Sequence, residues 1–385
     1  MQEGLGVNKD CKLKQHNLSR YICLLATFIL VAALLPVNLG DAIVSTNISL
    51  NSNGVIVYPP STSTPYTETE LLRGVNSLND LYATNANVAL IRDSGGNAIR
   101  MLVYISQITD PTIYQRLKDI VGWAKANELT VILTFNGYWD MTPGEHGSPV
   151  VMTCQHKAEA IYNVGGFGDY WISTYTAAIR DLQPDWVEVM NEPPDKYYTT
   201  YQGSKTYQQF YEDYRSFIIK SIDAFAAVKP DLKFMVESAP CPDNSYLFVS
   251  PRVDELRPAA TIMYEAHLYY AYESSPHKNF ELSYWSGNLA TAKIQLYDYL
   301  LTGPLHVQTA LNLGLDIYIG EAGVNMDSPN WNVYMDDMFE FCETYNLGLM
   351  WHQWRYEVID PSMGMLNNDW KTLNGVGQHW ASLVN

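Results

Sequence analysis

The chain has 385 residues, is 47% hydrophobic and carries a formal net charge of −17 at pH 7. That supplies apolar residues for a large core, and the negative charge argues against nucleic acid or an anionic membrane surface as a partner. The 28 Tyr and 10 Trp suit either a large core or a cleft in which flat rings stack on sugars.

Residues 1–20 are polar and carry Lys9, Lys12, Lys14 and Arg20, and an uncharged apolar run broken by Pro36 follows over 21–39. A basic flank before an apolar run is the pattern of a signal peptide or a signal anchor. The core of the run, 21–35, has signal-peptide length and is short for a membrane span. Gly40-Asp41-Ala42 offers a small-residue cleavage site after Ala42, but the twenty-residue leader is long for a signal peptide. Residues 1–42 are therefore expected to export the protein, which is either secreted or anchored through 21–39 at the outer face of the cell membrane. Removing the first forty residues takes away four basic and two acidic side chains, leaving 39 acidic against 20 basic. A neutral polysaccharide suits such a surface as partner.

Cys11 and Cys23 fall in the leader, so Cys154, Cys241 and Cys342 remain and at most one disulfide can form among them. There is no CxxC pair and no His/Cys cluster at zinc spacing. Residues 43–69, rich in Ser, Thr, Asn and Pro, read as an extended arm or linker before a domain over 70–385.

That domain alternates strands and helices. Strands are expected at 71–76, 98–103 and 130–135, separated by helices at 85–94, stopped by Gly95-Gly96, and 111–127. A long Gly-, Pro- and His-rich excursion, 141–168, follows the third strand and is of a length that usually lines a site. A helix at 169–182 leads into Trp186-Val187-Glu188-Val189-Met190, a short buried strand stopped by Pro193-Pro194, so that Asn191 and Glu192 stand at its carboxyl end. Then come a helix at 207–228, strands at 233–236 and 261–268, a polar loop at 273–288, and a helix reaching 313. The seventh strand, Ile317-Tyr318-Ile319-Gly320, ends in Glu321; a helix at 331–345, an eighth strand at 348–354 and a last helix at 375–383 complete the chain. Eight such alternations without a Gly-rich phosphate loop argue for an α/β fold, a (β/α)8 TIM barrel, rather than a doubly wound sheet. In such a barrel catalytic groups sit at the carboxyl ends of the strands, and two strand-end glutamates are what a two-carboxylate glycosidase needs. Glu188 alternates with Trp186 and Met190 toward the barrel interior, and Glu237 is a second strand-end glutamate that competes with Glu192.

Val189-Met190-Asn191-Glu192-Pro193 and Ile319-Gly320-Glu321, with Arg100 in the second strand, His267-x-Tyr269 in the sixth and Trp351 in the eighth, resemble the signatures of glycoside hydrolase family 5. The resemblance covers most of 70–383. It implies a retaining barrel glycosidase that needs no metal or other cofactor and acts on a polysaccharide; the protein is expected to be a monomer. Glu192 is then the general acid and base, and Glu321 the nucleophile. Arg100 and Tyr269 would support Glu321, Asn191 would bind the sugar 2-hydroxyl, His267 would orient its neighbours, and Trp351 would stack under the reacting ring. The carboxyl groups are expected about 5 to 5.5 Å apart. Many members carry a His after strand three, where this chain has Asn136 and Trp139; the first can hydrogen-bond a hydroxyl and the second can stack. Trp354 faces either the cleft or the helices.

The substrate implied is a β-1,4-glucan, with mannan and glycolipid as alternatives within the same chemistry. A carbohydrate-binding protein that has lost turnover is the rival of another class; its sign would be loss of one glutamate, and both are present. A metal-dependent barrel enzyme would need several carboxylates clustered on one ion, which two glutamates with an arginine between them fit poorly.

Overall fold

The computed structural model describes residues 49–50, 56–57, 71–78, 83–137, 149–162, 165–194, 206–237, 244–270, 278–354, 363–367 and 371–385. The chain forms two compact units, 1–59 and 60–385. In the first, Ser49–Leu50 pairs antiparallel with Ile56–Val57. The apolar run 21–39 and most of the 43–69 connector lie outside the described residues. Among the described residues no helix is long and apolar enough to cross a membrane.

The second unit is a closed barrel of eight parallel strands: β1 (Arg73–Leu78), β2 (Ala98–Tyr104), β3 (Thr130–Asn136), β4 (Trp186–Glu188), β5 (Lys233–Glu237), β6 (Ile262–Tyr270), β7 (Ile317–Val324) and β8 (Gly348–Trp351). Each pairs with the next, and β8 closes on β1 through Leu349 opposite Arg73 and Trp351 opposite Val75. With helices alternating between the strands, this is the expected (β/α)8 fold.

Strand parity divides the interior into layers. Leu72, Ala98, Ile132, Trp186, Met235, Met263, Tyr318 and Met350 form one buried apolar cluster at the amino-terminal end. Two residues further along, on the same face of each strand, stand Gly74, Arg100, Thr134, Glu188, Glu237, Glu265, Gly320 and His352. An apolar floor thus carries a charged layer directly above it. The site rests on that layer.

Between the strands, helices α1 (Asn85–Asp93), α2 (Ile105–Thr109), α3 (Pro111–Ala126), α4 (Pro149–Tyr162), α5 (Phe167–Leu182) and α6 (Tyr207–Val228) precede the fifth strand. They are followed by α7 (Val253–Leu256), α8 (Asn279–Trp285), α9 (Leu289–Leu301), α10 (Val307–Asn312), α11 (Trp331–Thr344) and α12 (Gly375–Val384). Starts carry caps: the Thr84 and Thr206 side chains accept from the third helical N–H of α1 and α6, and Asp110 caps α3 ahead of Pro111. Gly95, at φ 93°, ends the turn after α1 as the Gly-Gly pair suggests.

Three expectations change. The excursion 141–168 contains α4, where Pro149 begins a helix that buries Ala158, Ala160 and Ile161. The polar loop at 273–288 contains α8, whose Phe280 and Tyr284 are buried beside Tyr334 of α11, so packing makes a helix of a stretch that reads as loop. The helix expected to reach 313 is two, α9 and α10, separated at Gly303, where a Cβ would collide with the Tyr299 carbonyl.

Candidate active site

Arg100 is the centre from which the site can be built. It is 1% exposed on β2, and its guanidinium is surrounded. Nε donates to Glu188 Oε2 at 2.8 Å, Nη1 to Asn76 Oδ1 at 2.8 Å and Glu321 Oε1 at 2.6 Å, and Nη2 to Asn191 Oδ1 at 2.9 Å. Nη2 also lies 2.7 Å from Glu188 Oε2 and 3.3 Å from Glu265 Oε1. A rigid planar fork can serve this many partners at once, and a lysine could not. Asn76 relays the contact, since its Nδ2 donates to the Gly320 carbonyl at 2.9 Å.

Glu321 is brought to Arg100 by a bulge. Ala266 pairs with Ile319 and His267 with Glu321, so β7 carries Gly320 as an extra residue; the register against β8 slips at the same point. Gly320 faces the interior, and a Cβ there would fall on the Glu265 carboxylate. The bulge turns Glu321 toward the same side. Its Oε2 accepts from the Tyr269 hydroxyl, and its side chain is 10% exposed. Burial alone would raise its pKa, but His267, Arg100, His352 and the Tyr269 hydrogen bond hold it far below the usual carboxylate range. A carboxylate kept ionised and largely dry is a competent nucleophile.

Glu192 leaves β4 in the left-handed region, at φ 42°, immediately before Pro193. Its side chain is 40% exposed, so it reaches the open part of the cleft above Glu321. Its Oε1 lies 3.3 Å from His267 Nδ1, which is also 3.6 Å from Glu321 Oε2. One carboxylate oxygen of Glu192 and one of Glu321 lie within 4.8 Å of each other.

His267 stands among four carboxylates: Glu192 and Glu237 at 3.3 Å, Glu265 at 3.1 Å and Glu321 at 3.6 Å. Burial opposes its charge, yet Glu237, Glu321 and the hydrogen bonds to Glu192 and Glu265 raise its pKa well above the ordinary value. It is therefore an imidazolium. That charge acts on its neighbours. Burial pushes Glu192 up, but the hydrogen bond and charge of His267, with the charge of Lys157, together leave its pKa lowered. Glu237, almost wholly buried beside Glu188, Glu265 and Glu192, is pushed well above the carboxylate range despite His267. Glu192, His267 and Glu321, and likewise Glu237, Glu265 and His267, are close enough to share a metal ion.

Most sequence candidates converge here: Arg100, Asn191, Glu192, His267, Tyr269 and Glu321 are mutually bonded or in contact. Asn136 stands at the end of β3, 4% exposed, with Oδ1 accepting the Gly137 N–H at 3.1 Å. Trp139 lies outside the described residues. Trp351 is a correction. It is fully buried, its ring packed toward Phe339 and Tyr334 of α11, so it faces the helices and offers no surface for a sugar to stack on. Parity is the reason: Met350 belongs to the apolar floor, so His352 faces the cleft instead. His352 Nδ1 is buried with no hydrogen-bond partner, 3.9 Å from Glu321 Oε2, and its ring stands edge-on to Tyr269. Burial lowers the His352 pKa. Trp354 faces the helices, donating to the Asn87 carbonyl beside Trp380. Cys342 is a buried free thiol; Cys241 and the Cys154 side chain lie outside the described residues.

Sequence reasoning misses Asn76, Lys157, Glu265 and His352 and treats Glu237 as a competitor of Glu192. Glu265 is two residues before His267 and His352 two after Met350, so strand parity carried a signal for both. Lys157 had none, because α4 was not expected.

A (β/α)8 barrel with two close carboxylates at the carboxyl mouth of its strands has the architecture of the barrel glycoside hydrolases. The chain belongs to the cellulase family, glycosyl hydrolase family 5, whose match spans residues 62–358. Among solved structures it is similar to endo-glycoceramidase II from Rhodococcus sp., at 16% identity and TM-score 0.58, covering 82% of this chain and 78% of that one. A hyperthermostable endocellulase gives 16% identity and TM-score 0.55 over 87% and 95% of the two chains. The mannanase catalytic domain of Streptomyces sp. SirexAA-E gives 19% and 0.50 over 80% and 83%. At these identities the likeness is one of fold. No curated protein sequence matches the chain.

Proposed function

We propose that the protein is a retaining endo-β-1,4-glucanase in which Glu321 is the nucleophile and Glu192 the acid and base. The observation that carries this reading is the separation of less than 4.8 Å between oxygens of the two carboxyl groups. Retention needs carboxyls about 5 to 5.5 Å apart, whereas inversion needs about 6.5 to 9.5 Å to admit a water. Membership of the cellulase family supports a β-glucan substrate, and the basic and apolar leader suits an enzyme meeting its polymer outside the cell.

In the first step Glu321 attacks the anomeric carbon while Glu192 gives its proton to the departing glycosidic oxygen. A sugar entering the cleft strips water from the half-exposed Glu192 side chain, which favours its neutral form. Arg100 keeps Glu321 ionised, and the Tyr269 hydroxyl, whose own pKa is raised by burial and by Glu321, stays a donor. Once the ester forms, the charge on Glu321 is gone. Glu192 then loses a neighbour that had raised its pKa and can take a proton from the incoming water.

The test is reducing-end release from carboxymethylcellulose, barley β-glucan, mannan and xyloglucan, with Glu192→Gln as control. Cleavage of the glucans that disappears in the variant is expected. Cleavage of mannan alone would keep the mechanism and change the substrate. Folded protein silent on all four would shift the reading to glycolipid substrates or to binding without turnover.

A further inference from the structure

Glu192 occupies a backbone conformation that its sequence disfavours. A non-glycine residue at φ 42° is strained, and a residue before proline normally adopts an extended backbone. Such a conformation persists only where its surroundings hold it. Here both ends of the Asn191–Glu192 peptide are gripped by buried polar side chains. Lys157 Nζ donates to the Asn191 carbonyl at 2.8 Å and to the Glu192 carbonyl at 3.0 Å. The Glu192 N–H donates to Glu237 Oε2.

These two residues come from different elements, α4 and β5, and each is only 2% exposed. Glu237 is itself anchored, as Tyr214 of α6 donates to its carbonyl at 2.9 Å. Its other oxygen, Oε1, lies 3.3 Å from His267 Nδ1, the same atom that lies 3.3 Å from Glu192 Oε1. The backbone and the carboxyl of Glu192 are thus held from one place. Such polar groups are costly to bury where a turn of ordinary backbone would serve the fold alone.

We propose that Lys157 and Glu237 are positioning residues for Glu192, clamping the Asn191–Glu192–Pro193 turn so that its carboxyl stays on the leaving-group side of the cleft. This rests on the proposed role of Glu192 as acid and base. The clamp acts on proton donation, so its loss is felt most where the leaving group needs a proton.

The experiment compares kcat/KM, which reports the first chemical step, on a soluble β-glucan and on a dinitrophenyl β-cellobioside whose leaving group departs without acid help. Glu237→Leu and Lys157→Met are each expected to lose about a hundredfold on the glucan, within the range of general acid catalysis, and only a few-fold on the aryl glycoside. Glu237→Gln keeps an acceptor for the Glu192 N–H and recovers most of the glucan activity. Equal losses on both substrates, no loss on either, or a Gln variant as poor as Leu would overturn the clamp. Lys157→Met stands as an independent arm should Glu237→Leu not fold. Glu192→Gln on the same substrates separates the two readings: if it shows the split and the clamp variants do not, only the clamp fails. A wild type that cleaves neither substrate sinks the acid role and the clamp with it.

Discussion

Glu188→Gln tests the charge count inside the barrel. Three carboxyl groups, Glu188, Glu265 and Glu321, close on the single guanidinium of Arg100. Burial, with Glu265 alongside, pushes Glu188 up to about 8 even against Arg100, while Arg100 and His267 overcome burial at Glu265 and hold it low. The two carboxyl groups shift each other's pKa, so one proton belongs to the pair. The folded chain therefore keeps a proton that the unfolded chain releases near 4.5. Between those values the folded state binds more protons, so stability falls as pH rises through the window and is lowest above it. At about 1.4 kcal/mol per pKa unit, this group costs the wild type on the order of 5 kcal/mol by the top of the window. Gln keeps the neutral shape: its oxygen still accepts from Arg100, and its amide can donate to Glu265. Urea unfolding measured from pH 4.5 to 9 should show variant and wild type nearly equal at the acid end. The variant should become the more stable by several kcal/mol at the alkaline end. Parallel curves, or a variant weaker throughout, would refute a neutral Glu188.

Glu321→Ala should abolish turnover while the barrel stays folded, and external azide should restore a glycosyl azide product; retained activity would remove Glu321 from the chemistry. Trp351→Phe should leave KM unchanged and cost at most about 1 to 3 kcal/mol of stability, because the ring packs on α11 and its unpartnered N–H is lost with it. His352→Ala should instead lower kcat/KM with little change in melting temperature. A KM rise confined to the Trp variant would put the indole back in the cleft. Cys342, buried, with burial pushing its thiol up to about 12, should resist a thiol reagent at pH 8 until the protein is denatured. Peptide mapping showing early labelling at that position would contradict the packing.

The barrel was legible because most strands are short apolar runs ended by Gly, Pro or a polar cluster, and because several helices between them are capped or glycine-stopped. Within the site, residues at strand ends could be found by position and type, which is how Arg100, Glu192, His267 and Glu321 stand out. Trp351 shows what type alone misses. An aromatic residue at the end of β8 suits a sugar platform, but the face it points to is set by Met350 in the floor, and counting by two assigns the cleft to His352. Lys157 was invisible for another reason. Its helix forms in a Pro- and Gly-rich stretch whose local signals favour loop, and it packs on the neighbouring helices α5 and α6. The bulge that turns Glu321 inward involves a pairing slip between strands, which no single segment encodes.

Gly320 and Glu265 share one volume: the space that a side chain at 320 would fill is where the 265 carboxylate sits. The two positions are therefore exclusive alternatives rather than independent choices. A methyl group could be admitted at 320 only after the glutamate at 265 had been shortened, and that shortening would strip both Arg100 and His267 of a partner. Descendants of this sequence would have to cross that valley in a fixed order, and a designer who wished to repack the strand would have to alter both residues in one step.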